Sequence, residues 1–404
     1  MDRKLLNRDF LLMLQGELVS GLGDILYSVA IGYWVYDVTG SSALMGILSS
    51  ISMFVTMFLA PFSGGIVDKA NRKAIIVGMD VLRGVLMLGV GVLALTSRLS
   101  VPVVAAAALL AALCSTLFGP AVSTVMIDII PHDDMVRGQS IHSGATTALS
   151  LVGKAVSGAL VAFLGVPVII VLNGVSYLIS ALTEAFIHIP KTVHQGETVT
   201  VGGLFRDFGT ALKAIAADPF LRICVPSSLA INLLAAGSVA MMLPFVLEKG
   251  YDVEFYGVLM SVDTAASLAC VFLLGIIRFS PRTRFFLLGA GFMLGGAFSI
   301  GAYLVAGRGL MCLLLFLGGF GCTLGNSVLN ASMVLAIPEG NRGGILGLLQ
   351  SGAVGGMALS TLAYGFLCDV FPVYLVFTVG ALLSAVPMGY LCFSRCTRQF
   401  ILEN

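Results

Sequence analysis

The chain has 404 residues, of which 58% are hydrophobic and only 11% charged, with a formal net charge of +1. A water-soluble domain carries roughly a quarter charged residues, so this composition excludes a soluble globular protein. No nucleic-acid partner is expected.

Twelve runs are apolar over lengths that cross ~30 Å of hydrocarbon as helices. In chain order the first six are predicted at Phe10–Tyr36, Ala43–Ile66, Ala74–Leu95, Val101–Ile127, Gln139–Phe163 and Pro167–His188. The second six are predicted at Phe220–Leu247, Phe255–Ile277, Phe285–Ala306, Leu310–Ala336, Gly343–Cys368 and Pro372–Phe393. None shows the sustained period-2 alternation of a barrel strand. The expected fold class is an all-α membrane protein with 12 transmembrane helices.

Lysine and arginine are spread unevenly over the connections. The even-numbered connections and both termini hold 17, while the odd-numbered ones hold three, Arg98, Lys249 and Arg308. The positive-inside rule then places both termini in the cytoplasm of a multi-pass protein of the cell membrane. The first span is too long for a signal-peptide core, carries Glu17 and Asp24, and lacks an A-x-A exit. No cleavable signal is therefore expected. The eight cysteines are scattered, mostly inside spans and without a C-x-x-C pair. They read as reduced packing residues rather than disulfides or metal ligands.

Residues 189–218 form the one long polar stretch, at the midpoint. Within it Leu204, Phe208, Ala211, Leu212 and Ile215 share a helical face, with Arg206 and Lys213 opposite, the pattern of a helix lying at the inner membrane surface. The expected organisation is an N-terminal six-helix bundle over 1–188, a cytoplasmic linker with this interfacial helix over 189–218, and a C-terminal six-helix bundle over 219–404. A shift of 210 residues places Gly65 on Gly275, Asp68 on Arg278 and Arg72 on Arg282. Repeated halves with a site at their interface are the plan of a secondary transporter.

A charged side chain at mid-bilayer costs ~2.5–3.5 kcal/mol on insertion scales, so each one needs an explanation. On the first span Glu17, Ser20, Asp24, Tyr27 and Ser28 fall within one stripe of period 3.6. On the fifth, Gln139, Ser143, Thr146, Ser150, Lys154 and Ser157 do the same, with His142 at the border. Such faces are unfavourable toward lipid and are expected to line a wet cavity. Asp24 and Lys154 both lie ~21–22 Å above the inner ends of their spans, which allows a contact between them, either a static ion pair or one exchanged during transport. The candidate coupling and substrate-cavity residues are Glu17, Asp24, Tyr27, Lys154, Asp263, Asn232 and Asn326. Asp80 and Arg83, at i and i+3 on the third span, are spaced to neutralise each other as a structural pair. Glu184, near the inner end of the sixth span, is within reach of the headgroups by snorkelling and reads as a structural residue. No catalytic residue, metal ligand or cofactor is expected.

The stretch GIVDKANRK, from Gly65 to Lys73, fits G-x-x-D-x-x-x-R-K between the second and third spans. It resembles the gate loop of the major facilitator superfamily. The stretches VSGLGDILYSVAIGYWVYDVTGSS, GMDVLRG, FGPAVSTVMIDIIPHDDMVRGQS, LNGVSYLIS and FRDFGTALKAIAADPFLR resemble the macrolide-efflux and enterobactin-exporter branch of its drug:proton antiporters. The resemblance implies the major facilitator fold, two pseudo-symmetric bundles around a cavity to which helices 1 and 5 contribute. It also implies a conformational gate. Gly65 would permit close approach, Asp68 would sit against the start of helix 11 just after Arg342, and Arg72 would reach Asp128 at the inner end of helix 4. Two departures stand out: an arginine common in helix 4 is Ala111 here, and an aspartate common at the start of helix 6 is Asn173.

By this resemblance the chain is expected to be a secondary active transporter. The implied activity is proton-coupled efflux of a hydrophobic or amphipathic small molecule (a drug, macrolide or siderophore-like compound) by alternating access, with the protein a monomer among membrane lipids. A lipid or lysophospholipid flippase, a metabolite importer and a non-transporting receptor on the same fold stay open. Gly21–Asp24 also spells the G-x-G-D of intramembrane aspartyl proteases, with a Y-D at Tyr36-Asp37. Those two carboxylates stand ~20 Å apart on one helix and in reversed order, so enzymatic activity is not expected.

Overall fold

A computed structural model describes residues 7–131, 134–188, 201–277, 279–337 and 342–403. Helices account for nearly all of them, and no strand occurs among the described residues. In hydrocarbon a helix satisfies its backbone hydrogen bonds within its own segment, which is why the helices follow the hydropathy. The first eight are α1 (Arg8–Thr39), α2 (Ser42–Lys69), α3 (Arg72–Leu95), α4 (Val101–Ile129), α5 (Met135–Leu164), α6 (Val166–Glu184), α7 (Val201–Ala217) and α8 (Leu221–Ala240). They are followed by α9 (Met242–Glu248), α10 (Val253–Ile276), α11 (Pro281–Leu304), α12 (Arg308–Ala336), α13 (Arg342–Val370), α14 (Val373–Phe393) and α15 (Arg395–Glu403). All but α7, α9 and α15 are long and apolar enough to cross a membrane, giving 12 candidate spans.

Most boundaries agree with the hydropathy to within a few residues. The exception is the stretch expected as one span over Phe220–Leu247, which breaks at Met241 into α8 and α9. Pro244 has no N–H for the carbonyl of Ala240, and its ring crowds that carbonyl, so the ladder stops one residue beyond it. The short terminal α15 has no counterpart among the expected elements.

The chain divides into two units, Met1–Gly40 with Ile51–Val199, and Ser41–Ser50 with Thr200–Asn404. The start of α2 thus groups with the second unit and the rest of α2 with the first.

In the first unit α6 packs on both α1 and α3, and glycine makes this close approach possible. A methyl group on Gly16 of α1 would stand 2.9 Å from Ser180 Oγ, and one on Gly23 would collide with Asn173 Oδ1. On the other side a methyl on Gly84 of α3 would meet the Leu178 side chain at 2.7 Å. Small residues at such spacing let helix backbones meet in a membrane, where packing replaces the hydrophobic effect as the driving force. Asn7 fastens the start of α1, accepting from Phe10 N at 2.8 Å and donating to Ile129 O of α4 at 2.9 Å.

In the second unit α11 and α12 meet through Gly291, Gly295, Gly318, Gly321 and Gly325. A methyl on Gly291 would lie 2.7 Å from the Gly321 carbonyl oxygen, and one on Gly295 2.7 Å from Cys322 N. An aromatic cluster closes one end, with Phe245 stacked on Phe377 at 5.1 Å and Tyr303 edge-on to both. The first turn of α2 is tied to α13 through Asp369, whose carboxylate accepts from Ser42 N at 2.5 Å and from Ser41 Oγ at 2.7 Å. Gly46 and Gly365 bring these two backbones together.

The amphipathic α7 departs from a purely surface-lying helix. Ala211 and Ile215 are buried in the core of the second unit with Phe220, Leu221 and Ile345, whereas Leu212 is exposed. The side chains of Leu204, Arg206 and Phe208 lie outside the described residues.

Candidate functional site

The first unit buries a polar cluster contributed by α1, α3, α4 and α6. Asn173, Ser176, Tyr177, Ser180 and Glu184 recur at helical spacing along one face of α6, and all are buried. This face lies between the glycine-lined surfaces of α1 and α3. Tyr177 Oη donates to Asp24 Oδ1 of α1. From α3, Arg83 reaches the same spot: its guanidinium lies 4.5 Å from the centre of the Tyr177 ring and 4.4 Å from that of Phe118 on α4. The aromatic faces favour the cation electrostatically. Arg83 pairs with Asp80 one turn earlier and donates to Ser115 Oγ of α4 at 3.2 Å.

Asp80 and Arg83 therefore meet, but not as an isolated pair. Arg83 also faces Asp24. Depth along the sequence suggests Lys154 for that position. α5 also packs on α1 at this level, its Gly153 lying against Leu22 and Ile25. Lys154 is half-buried on α5. Glu17, two turns below Asp24, meets His142 of α5 instead, with Oε2 and Nε2 2.6 Å apart. The Tyr27 hydroxyl is buried and makes no hydrogen bond.

Glu184 does not snorkel. It is 1% exposed, held by Ser180 Oγ at 3.3 Å, and its side chain lies against Gly16 of α1, next to Glu17. Glycine at position 16 leaves the space that draws this carboxyl inward, where a larger residue would send it outward. The signal for this face is present in the sequence as the 173, 176, 177, 180, 184 spacing, a polar stripe that a hydropathy scan averages away.

Of the gate residues, Arg72 Nη1 contacts Asp128 Oδ2 at 2.5 Å, with both side chains buried. Gly65 lies in the last turns of α2. The side chains of Asp68 and Arg342 lie outside the described residues. In the second unit Asn232 donates to Ser228 O at 3.0 Å within α8, and Asp263 of α10 faces Gly319 of α12. Asn326 is exposed on α12. No cluster of residues able to hold a metal ion occurs among the described residues.

The sequence pattern of the Major Facilitator Superfamily matches residues 14–252 and 227–396. Among curated proteins, one of Bacillus amyloliquefaciens that is named as a bacilysin exporter, BacE, is 29% identical over 218 residues, 52% of this chain and 51% of that protein. Macrolide efflux protein A of Streptococcus pyogenes is 22% identical over 176 residues, 44% of each chain. The chain thus spans about half the length of the curated relatives it matches. Among solved structures, that of the nucleoside transporter NupG has a TM-score of 0.73 at 14% identity, covering 94% of this chain and 97% of that one. A bacterial homolog of the human lysosomal transporter Spinster has a TM-score of 0.70 at 14% identity, covering 98% and 92%. At such identities these likenesses show the fold alone. With the helical spans and a match over most of its length, the chain belongs to the Major Facilitator Superfamily of membrane transporters.

Proposed function

We propose that this protein exports a hydrophobic or amphipathic small molecule across the cell membrane in exchange for protons, by alternating access. The observation that carries this reading is Asp24. It is a carboxyl midway along a transmembrane helix, hydrogen-bonded to Tyr177 and facing Arg83. A proton on Asp24 weakens its attraction to Arg83, and its loss restores it. Protonation there can thus be converted into a change of packing among α1, α3 and α6. The names of the curated relatives support export, and their short aligned length is why substrate and direction are proposals.

In this reading Tyr27, Lys154, Asn232, Asp263 and Asn326 contact cargo or its solvent. The loop around Gly65 and Asp68, with Arg72, Asp128 and Arg342, latches one state. The protein works as a monomer surrounded by lipid, with both termini in the cytoplasm, as the 17-to-three bias of Lys and Arg over the connections suggests. The test is efflux of macrolides or amphipathic dyes from proteoliposomes under an imposed proton gradient. Asp24→Asn is expected to abolish gradient-driven transport while leaving energy-independent exchange. An undiminished rate and pH dependence in this variant would remove Asp24 from the mechanism.

A further inference from the structure

The same cluster holds a carboxyl that the proposed cycle does not use. Resting on the proton-coupled reading above, we propose that Glu184 is a second proton-carrying residue of transport, exchanging its proton through the Glu17–His142 pair.

The geometry brings the groups into sequence. Glu17 and His142 are 2.6 Å apart and partly exposed, with side-chain exposures of 26% and 17%. Glu184 comes next: its Cγ stands 3.4 Å from where a methyl on Gly16 would be, one residue along α1 from Glu17. Ser180 Oγ bonds Glu184 Oε1 on one side and faces Asp80 on the other. Asp80 leads to Arg83, and Arg83 to Tyr177 and Asp24. Imidazole, carboxyl, hydroxyl and guanidinium groups therefore follow one another from a partly exposed pair toward the proposed coupling residue.

Charge balance gives this chain of groups a purpose. The groups facing Glu184 are Glu17 on α1, Asp80 and Arg83 on α3, and Ser180 on α6 itself, while Arg83 in turn faces Asp24 and Tyr177. His142 and Lys154 stand on α5, and Cys114 on α4 near Arg83. Asp24, Asp80 and Glu184 thus all face the Arg83 guanidinium, and carboxylates gathered this closely away from water repel one another. Glu184 Oε2 and Asp80 Oδ2 are moreover fully buried without a hydrogen-bond partner. A proton shared among these oxygens relieves both conditions. Histidine at the entrance suits the role, because its two ring nitrogens can take up a proton at one and release it from the other. The proton moves from the imidazolium nitrogen to the Glu17 carboxylate and on to Glu184, with no co-reactant beyond water.

The experiment uses the purified full-length protein. Infrared difference spectra between acidic and alkaline buffer should contain a carboxylic-acid C=O band that Glu184→Gln removes and Asp24→Asn retains, and whose midpoint His142→Gln displaces. In proteoliposomes Glu184→Gln should slow proton-driven efflux at least tenfold and flatten its pH profile, with substrate affinity changed less than about twofold. Glu184→Asp should restore part of the rate. Monodisperse elution and an unaltered melting temperature of Glu184→Gln separate this from misfolding. An unchanged C=O spectrum, or an unchanged pH profile in a folded variant, overturns the proposal. If the wild type shows no proton-driven transport at all, the antiport reading fails, while the infrared band still decides whether Glu184 exchanges a proton.

Discussion

Tyr177 serves Asp24 and Arg83 with different parts of one side chain, its hydroxyl donating to the carboxylate and its ring facing the guanidinium at 4.5 Å. Tyr177→Phe separates the two roles. It keeps the face that Arg83 packs on and removes the donor to Asp24. A hydrogen bond to a charged group is worth about 1.5–3 kcal/mol, so proton-driven efflux should fall roughly tenfold to a hundredfold while the protein stays folded. Tyr177→Leu should additionally lower the melting temperature, because Arg83 loses one of its two aromatic faces.

Arg72 and Asp128 form a buried pair at 2.5 Å. Breaking such a pair from one side leaves an uncompensated charge and costs about 3–5 kcal/mol. Asp128→Ala should therefore destabilise the detergent-solubilised protein strongly in a thermal-shift assay. Replacing both residues together, as Arg72→Met with Asp128→Leu, should be milder than Asp128→Ala alone. If the pair also latches a state, the double variant should fold yet transport slowly.

The spans are legible in the sequence because hydrocarbon accepts little besides a helix of apolar residues, so length and composition suffice. What composition cannot carry is which helices are neighbours and how each is rotated. Sequence depth puts Asp24 at the right level and offers Lys154 as a cation for it, but says nothing of α6 settling between α1 and α3, the packing that brings Arg83 to Asp24. Glu184 reads as able to turn outward for the same reason: its burial depends on the space above Gly16, which belongs to another helix. Asp80 and Arg83 can be matched because their relationship is local, one turn of a single helix. The break at Met241 is in principle readable from Pro244.

Asp369 joins the beginning of α2 to the end of α13 through a backbone N–H and a hydroxyl. Its charge also suits the positive start of α2. Asp369→Ala should lower stability by about 1–2 kcal/mol, the usual worth of a helix cap, and Asp369→Asn by less. Thermal unfolding of the purified variants measures both.

The charge bias makes a topology prediction. Single cysteines placed at Gly165 and at Ser280, in a variant freed of reactive native thiols, should be labelled by a membrane-impermeant maleimide from opposite sides. Gly165 joins α5 to α6 and Ser280 precedes α11. Labelling of both from the same side would refute the orientation.

Gly291, Gly295, Gly318, Gly321 and Gly325 leave α11 and α12 in backbone contact, and Phe292 fills the hollow at Gly325. Side chains that interdigitate loosely let two rods slide past each other, but these two are keyed like teeth. Any rearrangement of the second unit must carry α11 and α12 as a single lever, and the give must come from their joints with other helices. Gly295→Leu should jam the pair and abolish monodisperse expression, whereas Gly296→Ala, one residue along and facing open space, should pass unnoticed.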